Sequence, residues 1–272
     1  DAAAAWLKDQ GMERIRGPQN FPVNEATPGL MIDGFDSRPI IYYDYSKPYY
    51  RKLLEESGLG LITRIFSWEV PVDRPMEAKL DRVARMVEKR GRVVLEKWGD
   101  RSMDVRKREM HLIYNEAWKD NFGFVPFIFE EFSHIIDEMQ LIMLEDLFVF
   151  AYVDGEPAGF FGGVPNIVEN MALRGLAGRI ELIRAVKMIL GARRTRGFRL
   201  GYLGVREKYR KYGLEGYLLW NQKVYAQSKK QWDYTDIGWI LEDNEPTIRL
   251  VNMMKDVRLS KTYGIFEKPL SR

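Results

Sequence analysis

The sequence predicts a mixed α/β (α+β) fold. Three observations carry that expectation. First, the apolar period changes repeatedly between Phe198 and Lys255. A short apolar run, Leu200-Gly201-Tyr202-Leu203-Gly204-Val205, gives way to a basic turn, Arg206 to Gly213. Three- and four-residue steps follow at Leu214, Tyr217, Leu218, Trp220, Val224 and Tyr225, the spacing of a helix face. A strand-like run, Thr235 to Leu241, is closed by Glu242-Asp243-Asn244, and Pro246 opens a short helix to Met254. Second, Leu147–Val153 and Pro157–Val164 flank Asp154-Gly155, which predicts a hairpin. Third, Pro71 and Pro75 punctuate the chain between a strand-like and a helical pattern.

The remaining elements follow in chain order. Ala2 to Gln10 reads as a helix stopped by Gly11, and Met12 to Arg16 as a strand. Gly17 to Asn24 is dense in turn residues, and Gly29 to Ser46 is irregular. Lys47 to Ser57 is a helix begun by Pro48 and ended by Gly58, and Leu59 to Val70 alternates as one or two strands. After the Val70–Pro75 linker, Pro75 to Lys89 is an amphipathic helix ended by Gly91, and Val93 to Lys97 a strand. Met103 to Trp118 is a helix with Val105, Met110, Ile113, Tyr114 and Ala117 as its buried face, and Phe129 to Met139 another helix. Pro165 to Leu190 is longer than a simple connection needs. Its Ile180, Ile183, Val186, Lys187, Ile189 and Leu190 give an amphipathic helix that could cover a cleft.

Composition narrows the function. At 272 residues the chain is one large domain or two ordinary ones, with apolar and charged contents typical of a soluble globular protein. A net charge of +3 does not argue for nucleic acid or membrane. The absence of Cys excludes disulfides, thiolate metal sites and a Cys nucleophile. With only His111 and His134, a multi-His metal centre is not expected. No apolar run reaches transmembrane length and no signal peptide is present, so a cytoplasmic location is expected. Asp1 opens directly on a helical pattern, so residues of the native N-terminus are expected to precede it.

The basic turn has two readings. A helix starting near Leu214 leaves N–H groups without internal partners and carries partial positive charge at that end. Gly213 permits close backbone approach, and Arg206, Lys208, Arg210 and Lys211 add charge. That describes a phosphate or pyrophosphate site. A solvated basic turn would look the same. Arg193, Arg194, Arg196 and Arg199 are similarly either a solvated cluster or a contact for a 3′-phosphate.

Arg210-Lys211-Tyr212-Gly213-Leu214-Glu215 resembles the Arg/Gln-x-x-Gly-x-Gly/Ala pyrophosphate loop of the GNAT acyltransferase superfamily. The resemblance extends to the flanks. Leu203-Gly204-Val205 is similar to the bulged strand end, and Ile240 to Asn244 to the next strand and the Asn opening the following helix. It implies a mostly antiparallel sheet flanked by helices, with Phe198–Val205 and Thr235–Leu241 as a splayed pair. It implies acetyl-CoA or another acyl-CoA as co-substrate, held by Leu203 to Val205, Arg210 to Gly216 and Asn244. A small amine-bearing molecule is then the acceptor. Two positions depart from the family. Glu215 stands where Gly or Ala is usual, and Val251 where many members place a proton-donating Tyr.

The resemblance also implies duplication. Helix end, strand, Asn-bearing loop, Pro-started helix and strand recur early in the chain, with Gly17-Pro18-Gln19-Asn20 echoing Leu241 to Asn244. Residues 1–75 are then the C-terminal part of a first GNAT-like unit, and 76–272 a complete second one, as in bacterial tandem GNAT-like proteins. A homodimer is compatible with this.

On this basis the expected chemistry is transfer of an acyl group to an amine. Asp236 and Glu242 are the carboxylates on the strand beside the cleft, and Asp236 is the expected base. Asn115, Trp118, Asn121 and Phe124 follow the first helix of the second unit, where the resemblance places the acceptor. The alternative for those aromatics is that they simply roof the core. A non-catalytic binding or assembly protein on the same scaffold is the competing function, favoured by Glu215 and Val251. A transferase using aminoacyl-tRNA is a third, and the mild charge argues against it.

Overall fold

A computed structural model of the chain describes residues 2–19, 29–171 and 181–270, apart from the side chains of Glu181, Arg184 and Ala185. Asn20 to Asn24 of the expected loop, and Ile180, lie outside the described residues. Helix α1 (Ala2–Asp9) leads into β1 (Arg14–Gly17) and β2 (Leu30–Asp33). Helix α2 (Tyr49–Glu56), strand β3 (Gly60–Pro71), α3 (Ala78–Arg90) and β4 (Val93–Lys97) follow. Next come α4 (Met103–Ala117), α5 (Phe129–Met139), β5 (Phe148–Val153), β6 (Glu156–Pro165) and α6 (Glu181–Leu190). The last group is β7 (Gly197–Val205), α7 (Leu214–Ser228), β8 (Tyr234–Leu241), α8 (Glu245–Val251) and β9 (Arg258–Pro269).

Nine strands form one sheet in the order β1-β9-β3-β8-β7-β6-β5-β4, with β2 also on β9. Every described pair is antiparallel except β7 with β8, which is parallel. The β5–β6 hairpin turns on Asp154 (φ 51°) and Gly155 (φ 83°), two positive values in succession as a tight hairpin requires.

Strand β3 is one unbroken strand of 12 residues, and it lies between β8 and β9. The boundary expected at residue 75 therefore falls where β3 ends, and the sheet runs across it. Strand β9 was not anticipated from sequence periodicity, because the run Arg258 to Pro269 mixes buried Ser, Lys and Thr with its apolar residues.

The expected splay is present. β7 and β8 pair only at Gly197–Tyr234, Phe198–Thr235, Arg199–Asp236 and Leu200–Ile237. Beyond that point β7 continues along β6 while β8 continues along β3 to Leu241. A bulge accompanies the parting, because Gly162 pairs with Tyr202 and Gly163 with Leu200, skipping Gly201. It lies two residues before Leu203, not at the Leu203-Gly204-Val205 end where it was expected. Without the bulge Leu200 and Tyr202 would share a face. With it, Leu200 packs with Phe198 towards Leu219 and Ala226 of α7, while Tyr202 turns towards α4.

Helix α4 corrects one expectation. Met110, Ile113 and Tyr114 are buried, but Val105 is exposed and Arg106 takes its place in the core. Arg106 is fully buried and donates to the Trp98 and Lys97 carbonyls, Glu96, Glu109 and the Tyr152 hydroxyl. Helix α6 packs against the turn at Ile167–Met171, and Leu182, Ile183, Val186 and Leu190 remain exposed. It does not cover the cavity described next.

Candidate functional site

The parting strands open onto a cavity of about 330 Å³. β7 supplies Arg199, Gly201 and Tyr202, β8 supplies Trp239 and Leu241, and β3 supplies Ile65. The opposite wall is α4, α5 and the segment between them, with Tyr114, Trp118, Asn121, Phe122, Phe127 and Phe132. Tyr42, from the loop before α2, closes another side. The wall is mostly aromatic and aliphatic with few polar groups, the composition of a small-molecule site. Past Leu200, β7 and β8 no longer bond to each other. The N–H and C=O groups of β7 not used by β6 therefore face the gap.

Of the four residues expected to contact an acceptor, two reach the cavity. Trp118 stacks on Tyr114 with ring centroids 4.5 Å apart, and Asn121 lies beside it. Gly204 is required by this packing, since a Cβ there would sit 2.5 Å from the Trp118 ring. Asn115 does not reach the cavity. Its amide is committed to the loop, donating to the Phe127 carbonyl at 2.9 Å and accepting from the Phe127 N–H at 3.1 Å. Phe124 packs behind Tyr114, 6.2 Å between centroids.

The two carboxylates expected to act as bases are elsewhere. Asp236 is buried, and both of its oxygens are occupied. Oδ1 accepts from the Tyr43 hydroxyl at 2.7 Å, and Oδ2 from Ser67 at 2.6 Å and Ser260 at 3.3 Å. Burial pushes its carboxyl pKa above the usual range, against the opposing effects of Ser67, Tyr43, Lys261 and Arg199. It does not line the cavity; Tyr43, stacked on Trp239 with centroids 5.7 Å apart, stands between. Glu242 accepts from the Arg64 N–H at 2.9 Å and pairs with its guanidinium at 3.2 Å, away from the cavity. The carboxylate that does line the wall is Glu138 at the end of α5, largely exposed and 3.3 Å from His134.

The basic turn is less free than its sequence implies. Arg206 pairs with Glu116 at 2.7 Å and Lys208 with Glu156 at 2.5 Å. Arg210 and Lys211 stay exposed, Arg210 donating to the Ala117 carbonyl at 3.3 Å. Tyr212 is half-buried, with the Arg92 guanidinium over its ring. Gly213 adopts φ 78° and ends the turn, and Leu214 starts α7 fully buried. A Cβ on Gly213 would point at Val83 of α3, at 3.3 Å, and one on Gly216 at the same side chain, at 3.2 Å. The glycines thus admit α3, and a side chain at Gly213 would disturb folding before it met a ligand. The Glu215 carboxyl, raised in pKa by burial, accepts from its own backbone N–H, which places an acid at the start of α7. Asn244 caps α8, accepting from the Thr247 N–H at 3.3 Å, and Val251 is core, packed with Trp68 and Ile240.

This arrangement matches solved structures. A GCN5-related N-acetyltransferase from Sphaerobacter thermophilus superposes with TM-score 0.52 at 15% identity, over 84% of this chain and 58% of that one. A tandem GNAT protein from the clavulanic acid biosynthesis pathway superposes over 100% of this chain and 68% of its own, with TM-score 0.51 at 10% identity. The fold is that of the GNAT acyltransferases. In sequence, the chain is 28% identical over 281 residues to Protein YghO of Escherichia coli K12, covering 99% of this chain and 69% of that protein. It is 27% identical over 278 residues to the bacterial ceramide synthase of Caulobacter vibrioides, covering 99% of this chain and 70% of that protein. The chain therefore spans about two thirds of these relatives and 58% of the Sphaerobacter protein. No protein-family profile matches it.

Within this GNAT fold, sequence reasoning missed Tyr42, Glu138, Arg199, Tyr202 and Trp239 as cavity residues. One signal was available for Arg199. It lies two residues before Gly201 on the splayed strand, so a basic residue entered an otherwise apolar run. It was grouped instead with Arg193, Arg194 and Arg196, of which Arg196 is a surface pair with Asp233 at 2.5 Å.

Among the described residues no group of His, Asp and Glu is placed to hold a metal ion, and no helix is long and apolar enough to cross a membrane.

Proposed function

We propose that the protein is an acyl-CoA-dependent N-acyltransferase that moves the acyl group directly to an amine held in the cavity. One observation carries this reading: β7 and β8 part over an aromatic-walled cavity. Acyl-CoA supplies an activated acyl group as a thioester. Arg210, Lys211 and the backbone from Tyr212 to Gly216 would hold its phosphates, and the free backbone edge of Leu203–Val205 would polarise the thioester carbonyl. Trp118 and Asn121 would position the acceptor. Ceramide is an N-acyl amide, so the name of the Caulobacter relative supports an amine acceptor.

An ammonium must lose a proton before it attacks. Glu138 would accept it, since it is the carboxylate on the cavity wall. Asp236 acts one step back, holding Tyr43 and through it Trp239. Val251 offers no acid to the departing thiolate. A thiol of pKa about 8.5, by the cysteine value, leaves with little help near neutral pH.

Calorimetry of the full chain with CoA, acetyl-CoA and longer acyl-CoAs is the test. Binding, followed by acylation of an amine detected by mass spectrometry, supports the reading. A folded chain that binds none of these thioesters overturns it. One that binds them but acylates no amine in a broad screen leaves a binding protein on a transferase scaffold.

A further inference from the structure

On the cavity wall, Arg199 carries a charge that the protein satisfies only in part. The residue is 3% exposed and lines the cavity. Its Nη2 donates to the Gly238 carbonyl at 3.2 Å, while its Nε is buried with no hydrogen-bond partner. Three rings surround the guanidinium, with Cζ 4.5 Å from the Trp239 centroid, 4.8 Å from Tyr43 and 5.8 Å from Tyr42. Ring faces stabilise a cation, but they leave in-plane N–H groups without acceptors. Gly201, at the bulge, keeps room for the group, since a Cβ there would lie 3.2 Å from Arg199 Cζ.

Neighbouring acids do not supply the missing acceptor. Asp236 is the register partner of Arg199, but its oxygens hold the hydroxyls of Tyr43, Ser67 and Ser260. A second buried cation, Lys261, also acts on Asp236, and its Nζ donates to the Arg38 carbonyl at 2.7 Å. Glu69, which also acts on Lys261, is engaged by Arg38 at 2.8 Å and Arg258 at 3.6 Å. Two enclosed cations thus share one enclosed carboxylate. Glu138 is the remaining acid on the cavity wall and stands at its exposed side, paired with His134. A buried donor on a charged group left unmade is costly, and such groups in native proteins answer to a function or a ligand.

We propose that Arg199 anchors an oxyanion carried by the acceptor, which is therefore an amphiphile: an apolar chain bearing a carboxylate or a phosphate ester. The aromatic wall of Tyr114, Phe127 and Phe132 receives the chain, and the guanidinium of Arg199, on the cavity wall, receives the oxygen. A planar guanidinium suits either anion. This rests on the cavity being the acceptor site of the proposed transferase, and it fixes the acceptor's chemical class.

The experiment is calorimetry of the full chain, without CoA, against octanoate, octyl phosphate, octanol and octylamine. One of the two anions is expected to bind at least about tenfold more tightly than octanol, the equivalent of one charge-assisted hydrogen bond. The tighter of the two distinguishes carboxylate from phosphate. R199Q is expected to abolish that preference while still binding octanol, and R199K to keep part of it. Equal affinity for octanol and both anions, a preference for octylamine, or an unchanged preference in a folded R199Q chain overturns the proposal. If R199Q does not fold, the wild-type ranking decides. Neither CoA nor turnover is needed, so failure here leaves acyl transfer standing. A chain that ranks the anions as expected but binds no acyl-CoA keeps the Arg199 site and loses the transferase.

Discussion

Replacing Asp236 with Asn tests whether burial or neighbouring cations control this carboxyl. The residue is enclosed, and burial, the largest influence on it, raises its pKa against Ser67, Tyr43, Lys261 and Arg199. A raised pKa in the folded state means that the native protein holds the proton more tightly than the unfolded chain. The corresponding stability is fully present below the unfolded value, about 3.9, and is lost as pH rises through the folded value. Asn cannot titrate, but it imitates the protonated acid, with one oxygen to accept from Tyr43 and one donor facing Ser67. Near pH 4 the two proteins should therefore differ by no more than about 1 kcal/mol. Above that, the wild type should lose ground to D236N by up to about 1.4 kcal/mol per pH unit until the folded pKa is passed, the limit for one proton. Urea unfolding of both proteins from pH 4 to pH 8 measures this, and the subtraction cancels the titrating groups that do not interact with Asp236. If D236N is instead weaker than wild type by pH 5 and the gap stays level to pH 8, then Arg199 and Lys261 hold the carboxylate ionised, and the argument from burial is wrong.

Three further outcomes are expected. Glu215→Ala removes the acid at the start of α7 and should tighten CoA binding several-fold by calorimetry; unchanged or weaker binding would detach this turn from the phosphates. Glu138→Gln should lower amine acylation by about 10²–10⁴-fold near neutral pH, with the deficit shrinking as pH rises and free amine becomes common, whereas a pH-independent deficit would mean that Glu138 only binds. Glu77→Ala should cost about 3–5 kcal/mol in denaturant unfolding, because Lys223, held by both Glu77 oxygens at 2.9 Å, would stay buried without its partner; a loss under 1 kcal/mol would show that Lys223 escapes to water.

Local signals predicted local structure well. The hairpin at Asp154-Gly155, the helices ended by Gly58 and Gly91, and the splayed strands all follow from turn chemistry and apolar period acting over a few residues. Trp118 and Asn121, read together from one stretch of sequence, both line the cavity. The site was not legible where it depends on partners distant in sequence. Asp236 looked free because nothing along the chain shows that Tyr43 and Ser67, 193 and 169 residues away, occupy its oxygens. Arg206 and Lys208 looked like ligands for a phosphate, and Glu116 and Glu156 neutralise them from other elements. Arg106 broke the expected face of α4 because a buried ionic network is invisible to hydrophobic periodicity.

The position of β3 between β8 and β9 has a kinetic consequence. Its contacts join residues 60–71 to residues 234–241 and 258–267, so the middle of the sheet closes only when segments some two hundred positions apart meet. Such closure is slow, since the loop entropy must be overcome before the distant contacts form. The cavity wall combines Tyr42 and Ile65 with Trp239 and Leu241, from either side of that long loop. Ligand binding should thus be acquired last on refolding, after helical signal has returned. A ligand that occupies the cavity would slow unfolding by holding together the strands whose separation opens the sheet.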